Sequence, residues 1–344
     1  MRGSLNLGGA VIEERELLER LMAGPVSGDA LARASGLSRA AVWKRIQALR
    51  DAGVPIQAQA GRGYRLEQPM DLLSPAAILG ALDPATAASV HGLEVEWSLD
   101  STNSALLRRA PPVAPGRVEV LMAERQTGGR GRRGRHWASP LAAHLYLSLA
   151  RGFEGGLARL GGLSLVAGIA VAEALHAFGV DAARLKWPND IVVEAADGLR
   201  KLGGVLVEGG GEHAGPVRAV IGIGLNVRMP PAEAAAIDQP WCDLEALAGP
   251  GVDRNRVAAT LLSHLLPALD AFDAEGLAPF MARHAALDVL AGRAVRLHGE
   301  GVAVRTGTAL GLAADGALRV RLDSGECCDV HSGEVSVRRL ESPA

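Results

Sequence analysis

One segment limits what this chain can build: Glu124-Arg125-Gln126-Thr127-Gly128-Gly129-Arg130-Gly131-Arg132-Arg133-Gly134-Arg135-His136-Trp137-Ala138-Ser139-Pro140. Arginine alternates with glycine, and apolar runs of strand character flank it, Val118–Ala123 before and His144–Leu149 after. Glycine loses more backbone entropy on ordering than any other residue, so the segment excludes a stable helix or strand. It predicts a mobile loop held between two strands of a sheet. Guanidinium groups stay charged and present a planar fork that clamps a phosphate or carboxylate. The expectation is a lid that orders over an anion. The competing account is an RGG-like nucleic-acid patch or a solvated turn. Such segments repeat in low-complexity tails, whereas this one occurs once within a globular stretch.

A length of 344 residues predicts two or three domains. Hydrophobic residues make up 48% of the chain and aromatics only 3%, so the cores must be built from Ala, Leu and Val. No apolar run reaches the roughly 18–20 residues of a membrane span, and the first residues lack the apolar region of a secretory signal. Cys242, Cys327 and Cys328 form no CxxC pair and make a poor disulfide framework, which points to a cytoplasmic address. The scattered histidines predict no structural zinc. The net charge of −2 hides a local excess. Arg33, Arg39, Lys44, Arg45, Arg50, Arg62 and Arg65 face a single acid, Asp51, over the same stretch. That is a nucleic-acid footprint, with a basic solvated face as the ordinary alternative. Lys44, Lys186 and Lys201 are the only lysines among 36 basic residues, which hints at positions where a compact point charge is needed.

The amino-terminal stretch predicts a winged helix-turn-helix over residues 1–70. Leu17, Leu18 and Leu21 share one side of a first helix, and Ala30, Leu31 and Ala34 stripe a second. Gly36 supplies the turn. Ser38 is a good N-cap for a third helix whose Val42, Ile46 and Leu49 recur at helical spacing until Gly53 stops it. Burial of that stripe turns Arg39, Lys44, Arg45 and Gln47 outward, as a recognition helix does toward the major groove. Val54–Leu66 alternates around Gly61-Arg62-Gly63, a hairpin whose tip arginine reaches a phosphate or the minor groove. A helix-turn-helix kept only for dimerisation or domain packing is the alternative. Glu67–Pro75, with two prolines, is the expected linker.

Residues 76–287 mix strands and helices, which predicts an α+β domain on a mixed sheet. A strand over Leu93–Trp97 leads into Asp100-Ser101-Thr102-Asn103 at a helix start, a place for a polar head group or simply an N-cap. Lys186-Trp187-Pro188-Asn189-Asp190 puts a lysine at one strand end and an amide and carboxylate at the next strand start. Such a set can neutralise an anion and hold Mg²⁺, with Asp190 the candidate ligand. Glycine pairs in Leu199–Glu208 and in Gly222-Ile223-Gly224-Leu225-Asn226 permit close approach of a ligand; neither pair makes a dinucleotide fold. Arg254–Leu287 is helical in pattern. Residues 288–344 read as five short strands with turns at His298-Gly299, Ala314-Asp315-Gly316, Asp323-Ser324-Gly325 and Ser332-Gly333, the pattern of a small SH3-like barrel.

Together these motifs resemble the bifunctional biotin protein ligase and biotin operon repressor family, over nearly the whole chain. The resemblance rests on Ser101–Asn103, Gln126 with Gly129–Arg135, Lys186–Asp190, Arg200–Glu208 and Gly222–Asn226. It implies a central fold like that of class II aminoacyl-tRNA synthetases. It implies biotin contacts at Ser101, Thr102, Asn103, Gln126, Arg130, Gly131, Arg132 and Lys186, with Lys186 and Arg132 catalytic. ATP or adenylate contacts fall on Gly129, Arg132, Arg135, Asn189, Asp190, Asn226 and Trp241. DNA contacts fall on Ser38, Arg39, Lys44, Arg45, Gln47 and Arg62. His136 and Arg125 depart from the family's usual basic and aromatic residues at those places.

The implied reaction joins biotin to AMP with ATP and Mg²⁺, then passes biotin to a lysine of a biotin carboxyl carrier protein of acetyl-CoA carboxylase. Biotinoyl-5′-AMP would also act as corepressor, driving a homodimer onto a palindromic operator. Two other classes stay open: a non-catalytic biotin- or lipoate-sensing transcription factor, and a lipoate protein ligase.

Overall fold

The computed structural model describes residues 7–59, 61–109, 116–153, 160–211, 217–299, 302–332 and 335–339. At the amino terminus, α1 (Leu7–Met22), α2 (Gly28–Ser35) and α3 (Arg39–Asp51) pack beside the hairpin β1 (Ile56–Gln59) and β2 (Gly63–Leu66). The helix starts follow from serine chemistry: Ser27 and Ser38 Oγ accept from the amides of Ala30 and Ala41 at 3.1 and 3.2 Å. Gly36 closes α2 in the left-handed region at φ 68°. Leu17, Leu18, Leu31, Val42, Ile46 and Leu49 are buried together, as the spacing predicts. Arg45 departs from the expected outward set. It is half-buried and turns back to Glu14 of α1 at 3.7 Å, because α1 carries an acid within reach.

This core is shared. Trp97, Leu141 and Ala142 of the central region complete it, and Leu141 N–H donates to Ala52 O at 2.8 Å. Nor is the expected linker a loose spacer. Leu73 is buried, and its amide donates to Glu124 at 2.6 Å. Asp71 and Glu124 both grip the buried Arg254, at 2.9 and 2.8 Å. Proline content signals a break in regular structure; it carries no information about the distant arginine that anchors the segment.

Two short helices, α4 (Pro75–Gly80) and α5 (Pro84–Ser89), lead into the central region. It continues with β3 (Val90–Glu96), α6 (Thr102–Arg108), β4 (Val118–Ala123), β5 (Leu145–Phe153), α7 (Leu163–Phe178), β6 (Arg184–Lys186), β7 (Asp190–Ala195), β8 (Gly198–Gly211) and β9 (Val217–Leu225). After α8 (Pro231–Ala234) and α9 (Leu244–Ala248) come α10 (Arg254–Glu275) and α11 (Met281–Leu287). The sheet runs β3-β4-β5-β9-β8-β7-β6, with β3 parallel to β4 and every other pair antiparallel. Alternation along the strands divides the faces. Val120, Leu149 and Ile221 meet α7 and α10, whereas Leu121, Ala150 and Val220 meet α6. By length and composition α10 would cross a bilayer, but Val257, Leu261, Leu262, Leu265 and Leu266 are buried in this core.

The carboxy-terminal strands β10 (Ala294–Gly299), β11 (Val302–Leu312), β12 (Leu318–Leu322), β13 (Cys327–Val330) and β14 (Val335–Arg339) form one antiparallel sheet, ordered β13-β12-β11-β10-β14. The expected turns at 314–316 and 323–325 join β11 to β12 and β12 to β13. The chain following Gly299 at the first turn, and Gly333 in the last, lie outside the described residues. Trp187 belongs to this sheet's core and donates from Nε1 to Gly316 O at 3.1 Å. The Lys-Trp-Pro-Asn-Asp motif is thereby pinned between two domains.

Candidate functional site

On the α6 face of the sheet lies a cavity of about 650 Å³. Its wall takes in Ser101, Thr102, Asn103, Gln126, Arg130, Gly131, Arg132, Arg135, Lys186, Asn189, Asp190, Asn226 and Trp241. Every position singled out for biotin or nucleotide is there except Gly129. That glycine sits behind the loop, where an added Cβ would lie 2.6 Å from both Ser139 Oγ and Trp137 O.

The arginine–glycine loop folds back on itself between β4 and β5. Trp137 N–H donates to Gly129 O at 2.9 Å and Gly131 N–H to Arg135 O at 2.7 Å, closing a tight loop over Arg132–Gly134. Arg132 Nη1 lies 3.3 Å from Asn189 Oδ1, and its other Nη donates to Ser332 O of the carboxy-terminal sheet. Arg130 turns elsewhere. Its Nη2 meets Ser104 Oγ at 2.8 Å and Glu208 at 3.2 Å, which aims the guanidinium along the rim.

One end of the cavity is a polar network. Ser101 caps α6, so the N-cap expectation holds, and Thr102 N–H donates to Gln126 Oε1 at 2.9 Å. Gln126 Nε2 donates to Ser139 Oγ at 3.3 Å. Asn103, nearly fully buried, donates from Nδ2 to Leu206 O at 3.1 Å and Glu208 Oε2 at 2.8 Å. Its Oδ1 accepts from Ser148 Oγ at 2.6 Å. Thr102 and Gln126 therefore present fixed polar atoms, held from behind by Asn103, Ser148 and Glu208.

The other end is cationic. Lys186 shares the wall with Arg132, Arg135, Lys201 and Arg338. Burial depresses the Lys186 ammonium, and Arg338, Lys201 and Arg135 push the same way against the opposing Asp190. Burial likewise lowers Arg132. A pocket that strains its own cations is one that a bound anion relieves. Lys201 Nζ holds Asp190 at 2.7 Å and lies 5.4 Å from the Trp137 ring centre. Asn226 is buried and positions backbone, donating to Cys242 O at 3.0 Å and Lys201 O at 3.3 Å.

A family model described as the biotin/lipoate A/B protein ligase family matches residues 98–226. An HTH domain model matches 13–65, and one for the biotin protein ligase C terminal domain matches 291–338. The bifunctional ligase/repressor BirA of Escherichia coli (strain K12) is 42% identical over 315 residues, covering 92% of this chain and 94% of that protein. The chain belongs to the BirA family of bifunctional ligase/repressors. The biotin--[acetyl-CoA-carboxylase] ligase of Mycobacterium tuberculosis is 40% identical over 177 residues, 50% of this chain and 62% of that one. A solved structure of the biotin protein ligase from Aquifex aeolicus in complex with biotin and ATP superposes with a TM-score of 0.60 at 30% identity. It covers 73% of this chain and all of the other.

For a BirA-family chain, four lining or supporting residues escape the sequence argument. Trp137 lies flat on Gly224, where an added Cβ would come within 2.6 Å of the indole. Arg338 arrives from β14, and Ser148 and Glu208 from β5 and β8. Trp137, an aromatic ending a cationic loop, and Glu208, the last residue of the Arg200–Glu208 motif, carried a signal. Gly204, Gly222 and Gly224 of the two glycine pairs line the cavity. An added Cβ at Gly222 would meet Asn103 at 2.2 Å, so Gly222 and Gly224 also make room for the protein's own side chains.

Proposed function

We infer that this ligase/repressor activates biotin with ATP and passes it to one lysine of a biotin carboxyl carrier protein. The convergence of Thr102, Gln126, Lys186 and Arg132 on one cavity, roofed by the arginine–glycine loop, carries the inference. The polar end suits an uncharged ureido ring, through Ser101, Thr102, Asn103 and Gln126. The cationic end suits the carboxylate and the phosphates. Trp137 offers a flat wall for a purine.

A biotin carboxylate oxygen attacks the α-phosphorus, the bond from that phosphorus to the bridging oxygen breaks, and pyrophosphate leaves. Two anions must approach each other, so Lys186 and Arg132 neutralise charge where it accumulates. The acceptor's neutral amine then attacks the mixed-anhydride carbonyl, an amide forms, the amine's proton is lost and AMP departs. The loop over residues 130–138 shields the adenylate from water between the steps.

Any magnesium would come with ATP, as part of that substrate. Among the described residues no three His, Cys, Asp or Glu side chains cluster as a metal cage. The ion suits one carboxylate plus substrate phosphates, so Asp190, beside Asn189, fits it. Bound there it would screen phosphate charge.

The helix-turn-helix supports operator binding through Ser38, Arg39, Lys44, Gln47 and Arg62, with biotinoyl-5′-AMP as corepressor of a homodimer in the cytoplasm. Radiolabelled pyrophosphate exchange tests the catalytic half. Exchange is expected with biotin, at a rate at least a hundredfold lower for Lys186→Ala. Exchange with lipoate alone, or none, overturns the inference. Operator affinity that is indifferent to biotin and ATP overturns the corepressor role.

A further inference from the structure

The largest exposed apolar side chain among the described residues is Trp43, 58% exposed on α3. Its companions on the outward stripe of that helix are Ala40, Lys44 and Gln47, at the spacing of one helical face, opposite the buried Val42, Ile46 and Leu49. The stripe carries no acid. Arg39 lies beside it, paired with Asp29 of α2 at 3.1 Å, and exposed Arg62 stands at the hairpin tip. An indole offers a large apolar area, and this one stands on the outward stripe of α3 among cations and the amide of Gln47. Charge selects the partner: a polyanion whose grooves offer apolar atoms. The only apolar group on the major-groove edges of B-DNA is the thymine methyl.

We propose that Trp43 is a specificity-determining residue, its indole packed on a thymine methyl in the major groove of each operator half-site. This rests on the operator-binding function proposed above and adds a base preference to it. Trp43 lies in the first half of α3, the end of a recognition helix that reaches base edges. Ala40, one turn earlier, is small enough to let the helix sink into the groove. Gln47, one turn later, has the amide that pairs with adenine. The stripe as a whole therefore favours A·T pairs at its centre, with Lys44 held for phosphate.

The test uses the full chain with biotin and ATP, selecting binders from a random duplex library. Wild type is expected to enrich a palindrome with a fixed thymine in each half. Replacing that thymine by uracil, which lacks only the methyl, should weaken wild-type binding about tenfold per half-site. Trp43→Ala should lose the same factor on the thymine duplex and be indifferent to the uracil exchange, while its pyrophosphate exchange stays at the wild-type rate. Lys44→Ala should weaken all sequences alike and reduce the salt slope by about one. If wild type enriches a palindrome but Trp43→Ala binds it equally, or uracil costs wild type nothing, the proposal is wrong and operator binding stands. If wild type enriches nothing, both fail. A dimer that Trp43→Ala dissociates in sedimentation without DNA would assign the surface to a second copy and overturn the proposal.

Discussion

Replacing Gly222 by alanine places one methyl group into the polar end of the cavity. The new Cβ would lie 2.2 Å from Asn103 Oδ1, 2.8 Å from Cγ and 3.0 Å from Nδ2. The Gly222 backbone is ordinary strand, so alanine is acceptable there and even gains about 0.5–1 kcal/mol of backbone entropy. The whole cost is steric, and Asn103 has nowhere to go, being buried and bonded on three sides. Its displacement breaks the bond to the Glu208 carboxylate, worth about 1.5–3 kcal/mol, and two neutral ones of about 1 kcal/mol each. Net destabilisation is then about 3 kcal/mol, or a melting point lower by about 10 °C at about 3 °C per kcal/mol. Because Asn103 also steadies Thr102 through Ser148, KM for biotin in pyrophosphate exchange should rise with it. The cause is isolated by a double mutant. With Asn103→Ala already present the clash is gone, and the added methyl should cost less than about 1 kcal/mol. A single variant melting within about 2 °C of wild type, or the same penalty in both backgrounds, would refute the steric argument.

Arg132→Gly removes the bonds to Asn189 and Ser332 O, so the adenylate should escape about ten- to a hundredfold faster, from charge-assisted bonds of about 1.5–3 kcal/mol. Mass spectrometry should then find biotin on lysines of bystander proteins; modification of the carrier alone would count against the loop's shielding role. Arg254→Ala strands Glu124 and Asp71 and should cost about 3–5 kcal/mol, exposing residues 67–74 to protease; unchanged cleavage would contradict the anchoring of that segment. Acid should destabilise the fold through two buried histidines, because burial holds His144 down to about 3 and His284 down to about 4. The unfolded chain takes up these protons first, near pH 6.5, so stability is complete above that pH and is lost as pH falls toward the folded values. Each histidine should cost about 2 kcal/mol between pH 7 and pH 5, and His144→Gln should remove one share of that slope in urea titrations; an unchanged slope would show the acid sensitivity to lie elsewhere.

What the sequence disclosed depended on how far apart the interacting residues lie. The third helix was legible because its cap, its stripe and its stop sit within sixteen residues, Ser38 to Gly53, and each acts locally. The same counting of charges on its outer face passed over Trp43, since an apolar residue is assigned inward by default. The arginine–glycine loop lies between two strands, as its flanking apolar runs indicate, but its internal hydrogen bonds are not legible from composition. Alternating glycines say where regular structure breaks, not which groups meet the backbone, and here Trp137 bonds to Gly129 while Ser139 packs beside it. The apolar run His144–Leu149 and the glycine pair in Leu199–Glu208 are legible in the sequence, yet nothing in either pairs Ser148 with Asn103 or Glu208 with Arg130. Arg338 was beyond reach for the same reason, because the strand pattern of a small β domain gives no sign of which strand it leans on the cavity. The strand glycines make the point most sharply. Gly222 and Gly224 signal that something approaches the sheet closely, and a ligand and a side chain are equally good answers until the fold supplies Asn103 and Trp137. Positions that exclude a Cβ are therefore legible as close approaches, whereas the identity of the neighbour is a property of topology, which is why variants at those glycines test the site more directly than variants of its charged residues.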